Sequence, residues 1–241
     1  MIALLRAETR KLGGSLALLL AVLAPALPGL LTALSLLSAR RSANWDGLFT
    51  SFVLPIWALF LMPMVVAAFA TLVAQIEYRA RGWDHLLALP VARWQVFLAK
   101  AAVVVAATVA MTGLVLIFTW VGGVVGGALS RHPPTGGLAW DRIGRSALLM
   151  LASSATLVVL QLWVALRFSS FVVPLGVGIG GTLVALAVSM TGTDQAGWFP
   201  WVLPFKVLTV PDGAPFALTG GLGGLVLLGL MIADLSRRSF R

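Results

Sequence analysis

Six long apolar runs divide this chain, alternating with short polar stretches at 15–37, 48–75, 101–129, 143–166, 171–191 and 216–235. About 20 consecutive apolar residues let a helix cross the hydrocarbon core of a bilayer. The pattern therefore predicts an all-α polytopic membrane protein with six transmembrane helices in one domain, 1–241. Each predicted span is bounded by charges or by a Pro/Gly-rich loop. Six crossings place both termini on the same side.

The first run carries features of a secretory signal peptide: a basic start, an apolar stretch and Ala24-Pro25-Ala26. Its apolar character continues to Leu37, which is spanning length. It is read as a retained helix kinked at Pro25 and Pro28, a feature tolerated where neighbours satisfy the freed carbonyls. Ahead of it, residues 1–14 place Ile2, Leu5 and Thr9 or Leu12 on one side and Arg6, Glu8, Arg10 and Lys11 on others. Two readings stand: an interfacial amphipathic helix, or a basic flank that only sets topology.

Composition agrees with the class. The chain is 60% hydrophobic and only 10% charged, whereas soluble proteins carry about 25% charged residues. Cysteine is absent, which excludes disulfides, thiolate metal sites and cysteine nucleophiles. The net charge of +9 gathers at span ends, where it marks topology and headgroup contact and not nucleic-acid binding. With the N-terminus cytoplasmic, Arg6, Arg10, Lys11, Arg79, Arg81, Arg93, Lys100, Arg167, Arg237, Arg238 and Arg241 lie inside. Arg40, Arg41, Arg131, Arg142, Arg145 and Lys206 lie outside, so the bias predicts N-in, C-in.

Segment 77–100, EYRARGWDHLLALPVARWQVFLAK, is the one long charged stretch between two membrane-length runs. Trp83, Leu86 and Leu87 stand at i, i+3 and i+4, and Trp94, Phe97 and Leu98 repeat that spacing. Pro90 separates them, lacking a donor and disfavouring helix at the residue before it. The spacing predicts two short amphipathic pieces joined by a proline elbow, with Gly82 turning the chain out of the second span. Such a unit would lie on lipid or fit a hydrophobic groove on a partner.

In these features the chain resembles the permease subunits of the ABC-2 type, particularly the small six-span permeases of lantibiotic or bacitracin self-protection. The likeness rests on LLRAETRKLGGS at 4–15, Trp45 before the second span, a glutamate closing that span, and LLALPVARWQVFLAK at 86–100. It implies that the loop between spans two and three is a cytoplasmic coupling helix docking on an ATP-binding subunit. By that resemblance Glu77, Arg81, Gly82, Trp83, Asp84 and Arg93 belong to the contact, with Leu86, Leu87 and Pro90 in the same segment. Many relatives carry a small hydroxyl residue where this chain has Trp83. The resemblance also implies a bacterial inner-membrane location and a second permease copy or paralogue, since six spans furnish half of the usual pathway.

Other chemistries find few residues. Glu77 and Asp84 read as solvated or ion-paired charges flanked by Arg79 and Arg81, not as an acid/base pair. His85 with those carboxylates makes a poor metal set, and His132 falls on the opposite membrane face. No GxSxG and no GxxxxGK[ST] occurs, so no nucleophile elbow or phosphate cradle is expected. The expectation is no catalytic residue, no metal and no cofactor of its own, ATP being bound by the partner.

Ionisable residues in the spans, Arg145, Arg167 and Asp234, lie near predicted ends. Among mid-span polar residues Gln161 is the candidate for a translocation path; the others are of the kind that hydrogen-bond neighbouring helices. In the outer loop, 192–215, Trp198, Phe199 and Trp201 surround Pro200; they read as an aromatic belt or as an outer gate.

The sequence thus predicts a permease subunit of an ABC exporter for an amphiphilic substrate, an antimicrobial peptide or lipid-like compound. The alternatives are a non-transporting accessory or scaffold protein whose 77–100 segment rests on lipid, and a secondary transporter, disfavoured by spans nearly empty of charge.

Overall fold

The computed structural model describes residues 1–39, 41–80, 82–83, 86, 90–130, 132–191 and 196–238. Eight helices are named below: α1 (Ile2–Leu12), α2 (Leu16–Ser38), α3 (Trp45–Ala80), α4 (Arg93–Leu129), α5 (Trp140–Arg167), α6 (Val172–Thr191), α7 (Leu203–Thr209) and α8 (Ala214–Arg237). Six of them, α2 to α6 and α8, are long and apolar enough to span a membrane. No strand occurs among the described residues; Asn44 and Thr135 form an isolated bridge between two loops.

Local sequence explains where the helices begin and bend. Ser15 caps α2, its side chain accepting from Leu18 N at 3.3 Å. The helix then continues through Pro25 and Pro28. In α3, two π-helical stretches, Leu48–Val53 and Trp57–Leu61, precede Pro55 and Pro63. Neither proline can donate to the carbonyl four residues back, so the ladder widens locally. Trp57, in the second stretch, is fully buried and donates Nε1 to Thr112 Oγ1 at 3.2 Å, tying α3 to α4.

The expected second amphipathic piece, Trp94 to Leu98, is not separate. It is the opening of α4, which runs unbroken from Arg93 for 37 residues. No proline interrupts it, and at 1.5 Å per residue it extends about 55 Å, well beyond the hydrocarbon core.

Two helix pairs form close seams. α2 lies along α4 with backbones in contact: a Cβ on Gly29 would meet Phe118 O at 2.4 Å, and one on Gly122 would meet Gly29 O at 2.1 Å. α8 lies along α5 equally closely, a Cβ on Gly220 falling 2.1 Å from Ser153 O. Thr156 Oγ1 donates to Gly220 O at 2.7 Å across that seam. These approaches are the small-residue packing that membrane helices use in place of a hydrophobic drive.

The spanning windows of α3 and α5 are 56% buried, against 22% for α6 and α8, so α3 and α5 form the centre. The outer helices expose leucine and valine, among them Leu19, Leu30, Val172, Leu218 and Leu225, a surface suited to lipid.

Candidate functional site

The helix ends divide into two faces. One, here the terminal face, carries α1, the end of α3, the start of α4 and the C-terminal ends of α5 and α8. There Arg93 Nη1 donates to Ser236 O at 3.4 Å, and Arg238 Nη1 donates to Arg167 O. The opposite face carries Asp46 and Arg142, paired at 2.8 Å.

Segment 77–100 leaves and re-enters the bundle at the terminal face. Gly82 N donates to Glu77 O at 2.9 Å, closing the end of α3. Leu86 N then donates to Gly82 O at 2.9 Å, an i to i−4 bond that opens a helical turn at Trp83. A Cβ on Gly82 would sit 3.0 Å from Glu77 Oε2, so this position is pressed against the charge below it.

Beneath the segment lies a closed ring of four charges. Lys11 Nζ is 2.8 Å from Glu8 Oε1, Glu8 Oε2 is 2.7 Å from Lys100 Nζ, Lys100 Nζ is 2.9 Å from Glu77 Oε1, and that oxygen is 2.7 Å from Lys11 Nζ. Two lysines and two glutamates cancel, which is how charge survives away from water. Lys100 is fully buried, and Glu8 and Glu77 are each 5% exposed. Lys100 also lies 5.7 Å from the Trp83 ring centroid, within cation–π range.

Lys11 is the partly exposed corner of the ring. Burial works against its ammonium, but the hydrogen bonds to Glu77 and Glu8, with their charges, outweigh this and hold its pKa above the ordinary 10.5.

An aromatic layer covers the ring. Trp83 is buried between Tyr78, at 5.6 Å with the rings edge-on, and Phe97, at 6.1 Å. Tyr78 donates its hydroxyl to Leu166 O at 2.6 Å, and Gln75 donates to Ser169 O at 2.8 Å, linking the end of α3 to the end of α5. The segment is thus fastened to α1, α3, α4 and α5 together.

The sequence-derived site residues separate by depth. Glu77 and Trp83 face inward, and Leu86 is half-buried against the core. Pro90, Arg93 and Trp94 are exposed. Arg81, Asp84 and Leu87 lie outside the described residues, as do His85 and the loop positions Arg40, Arg131, Arg241 and 192–195. Of the two expectations for Glu77, solvated or ion-paired, the structure shows a buried ion pair: its partners are Lys11 and Lys100, while the neighbouring Arg79 is exposed. The placement of α1 is also sharper than either expectation, because its polar residue Glu8 faces inward while Ile2 is exposed.

Glu8 and Lys11 were not visible as site residues. A single acid inside the basic stretch 4–11, three residues before a lysine, was the available signal. Lys100 enters the sequence reading as a topology charge and as the lysine that closes LLALPVARWQVFLAK, and neither role marks it as a partner of Glu8.

Gln161 is fully buried at the seam of α5 and α6. With its amide oriented to satisfy both groups, it donates to Pro174 O at 3.3 Å and accepts from Gly178 N at 3.2 Å. At the opposite face, Trp198 is exposed, Phe199 is half-buried and Trp201 is buried over Gly181. Phe199 and Trp201 stack at 5.2 Å, and the short helix α7 follows.

The pieces of sequence on which the family likeness rests therefore converge. The basic N-terminal stretch supplies Glu8 and Lys11, the acid closing α3 is Glu77, and the later lysine is Lys100. The family model described as ABC-2 family transporter protein matches residues 4–185, about three quarters of the chain and all four members of the ring. The chain belongs to the ABC-2 transporter family, and is accordingly a multi-pass membrane component of a transmembrane transporter. No curated protein and no solved structure matches it.

Proposed function

We propose that the chain is the permease subunit of an ABC exporter, driven by a separate ATP-binding subunit that docks on segment 77–100. The observation that carries this reading is the closed Lys11–Glu8–Lys100–Glu77 ring. A push on an isolated surface loop would be lost in bending. A push on this segment is passed through ion pairs and the Trp83 layer to α1 and to the ends of three spanning helices.

In this reading the terminal face is cytoplasmic and the membrane is the bacterial inner membrane, consistent with the lysine and arginine bias. The exposed residues Pro90, Arg93 and Trp94 supply the docking surface, while Glu77 and Trp83 transmit from beneath. The chain carries no ATPase chemistry; ATP is bound and hydrolysed on the partner, and a second permease copy or paralogue completes the pathway. The substrate class is amphiphilic, in keeping with spans whose buried residues are mainly apolar with scattered hydroxyls.

The test is co-purification with the ATP-binding subunit of its transporter. Arg93→Glu combined with Trp94→Ala should abolish the complex and its stimulated ATP hydrolysis while the chain still inserts and folds. A complex and a hydrolysis rate unchanged by that variant would sink the docking assignment.

A further inference from the structure

At the terminal face, the ends of α5 and α8 border an open cavity of about 600 Å³. Its rim carries Arg167 and Arg237, the last residues of the two helices, and its wall carries Trp163, Phe168, Asp234 and Leu230. Leu230 lies seven residues before Arg237, about 10 Å deeper along the helix. The cavity therefore runs from cationic groups at the level where the spans end down to hydrocarbon-facing side chains, with aromatic rings between, the arrangement of a membrane interface.

The charges at the rim are more than helix caps. C-terminal helix ends attract cations, but here other residues meet that need: Arg238 donates to Arg167 O, and Arg93 to Ser236 O. Asp234 is occupied as well. It accepts from Trp163 Nε1 at 2.9 Å and lies 3.6 Å from Arg167 Nε. Two arginines against one aspartate, itself engaged, leave the lining net positive.

We propose that this cavity binds an anionic phospholipid, its phosphate between Arg167 and Arg237 and an acyl chain along Val164 and Leu230. Charge complementarity at the rim and the apolar depth select this occupant: a free anion would leave the depth unfilled, and a zwitterionic lipid would bring an ammonium that offsets its phosphate beside a net positive lining. Half of this site, Leu230, Ala233, Asp234 and Arg237, lies on α8, beyond the residues that match the family model, and the assignment does not depend on the docking role of segment 77–100.

Native mass spectrometry of the full chain in detergent, titrated with dioleoyl phosphatidylglycerol or dioleoyl phosphatidylcholine, tests it. Wild type should retain the anionic lipid preferentially, and Arg167→Gln with Arg237→Gln should lower that preference by about fivefold for each arginine removed. Ala233→Trp, which fills the exposed cavity wall and keeps both arginines, should also remove it, and serves if the double variant fails to fold. Equal retention of the two lipids by wild type, or an undiminished preference in either folded variant, overturns the site. Displacement of phosphatidylglycerol by millimolar inorganic phosphate would identify a small-anion site and overturn the lipid assignment.

Discussion

Lys100 and Glu77, 23 residues apart, meet at 2.9 Å with side chains 0% and 6% exposed. One closes α3 and the other lies two turns into α4, so their contact shuts the base of the excursion between them. Buried ion pairs add little net stability compared with apolar packing, yet breaking one partner is costly. The value of this pair lies in register: it fixes where the segment stands relative to three helices.

Removing Lys100 should therefore be severe. Lys100→Met leaves Glu8 and Glu77 sharing Lys11 alone, an uncompensated buried charge, and should cost about 3–5 kcal/mol. Adding Glu77→Gln restores neutrality and should recover part of that loss, since contacting residues in one network are coupled. Thermal unfolding in detergent of the single and double variants reads the difference; equal melting points for the two would contradict the ring.

The Lys11 corner predicts a pH dependence. Its pKa is raised in the fold above 10.5, so its contribution is fully present below that pH and is lost as pH climbs through the folded value. The melting-point gap between wild type and Lys11→Met should hold steady through neutral and mildly alkaline pH and close above pH 10.5. A gap that widens with rising pH would reverse the assigned sign.

Close helix approach makes a third test. Gly122→Leu forces a side chain into the Gly29 backbone and should destabilise by about 3 kcal/mol through overpacking. Gly180→Leu points into open space among the described residues and should be tolerated. Folded yield after detergent extraction separates the two, and similar yields would argue against the α2–α4 seam.

Gln161 bridges α5 to the backbone of α6, so Gln161→Leu should lower stability by about 1 kcal/mol, the net worth of a lost intramolecular hydrogen bond, because Pro174 O and Gly178 N keep each other as partners within the helix. If the residue instead lines a path, substrate selectivity changes while the melting point stays put. Measuring both on one preparation decides between these roles.

Much of the fold was legible along the chain because apolar run length is a local property. The spans expected at 15–37 and 171–191 end within a residue or so of α2 and α6. The third was placed eight residues late, at 101 and not at Arg93, because Arg93 and Lys100 looked like the limit of an apolar run. A helix crosses that boundary freely once Lys100 has two carboxylates to pair with.

Trp83 shows the same limit from the other side. Its i, i+3 and i+4 pattern with Leu86 and Leu87 marked an amphipathic turn, but periodicity does not say which side of the turn meets protein. Tyr78, Phe97 and Lys100 surround its ring, and they come from elements on either side of it.

Composition and run length alone determined that this is a six-span helical membrane protein, with its one long charged stretch between the second and third spans. Both follow from the cost of placing polar groups in hydrocarbon, which is counted residue by residue. Only the tertiary structure decided that Glu8, Lys11, Glu77 and Lys100 are one unit. Their attraction acts across 92 residues of chain at its longest link and is strong because Glu8, Glu77 and Lys100 are buried away from the water that would screen them.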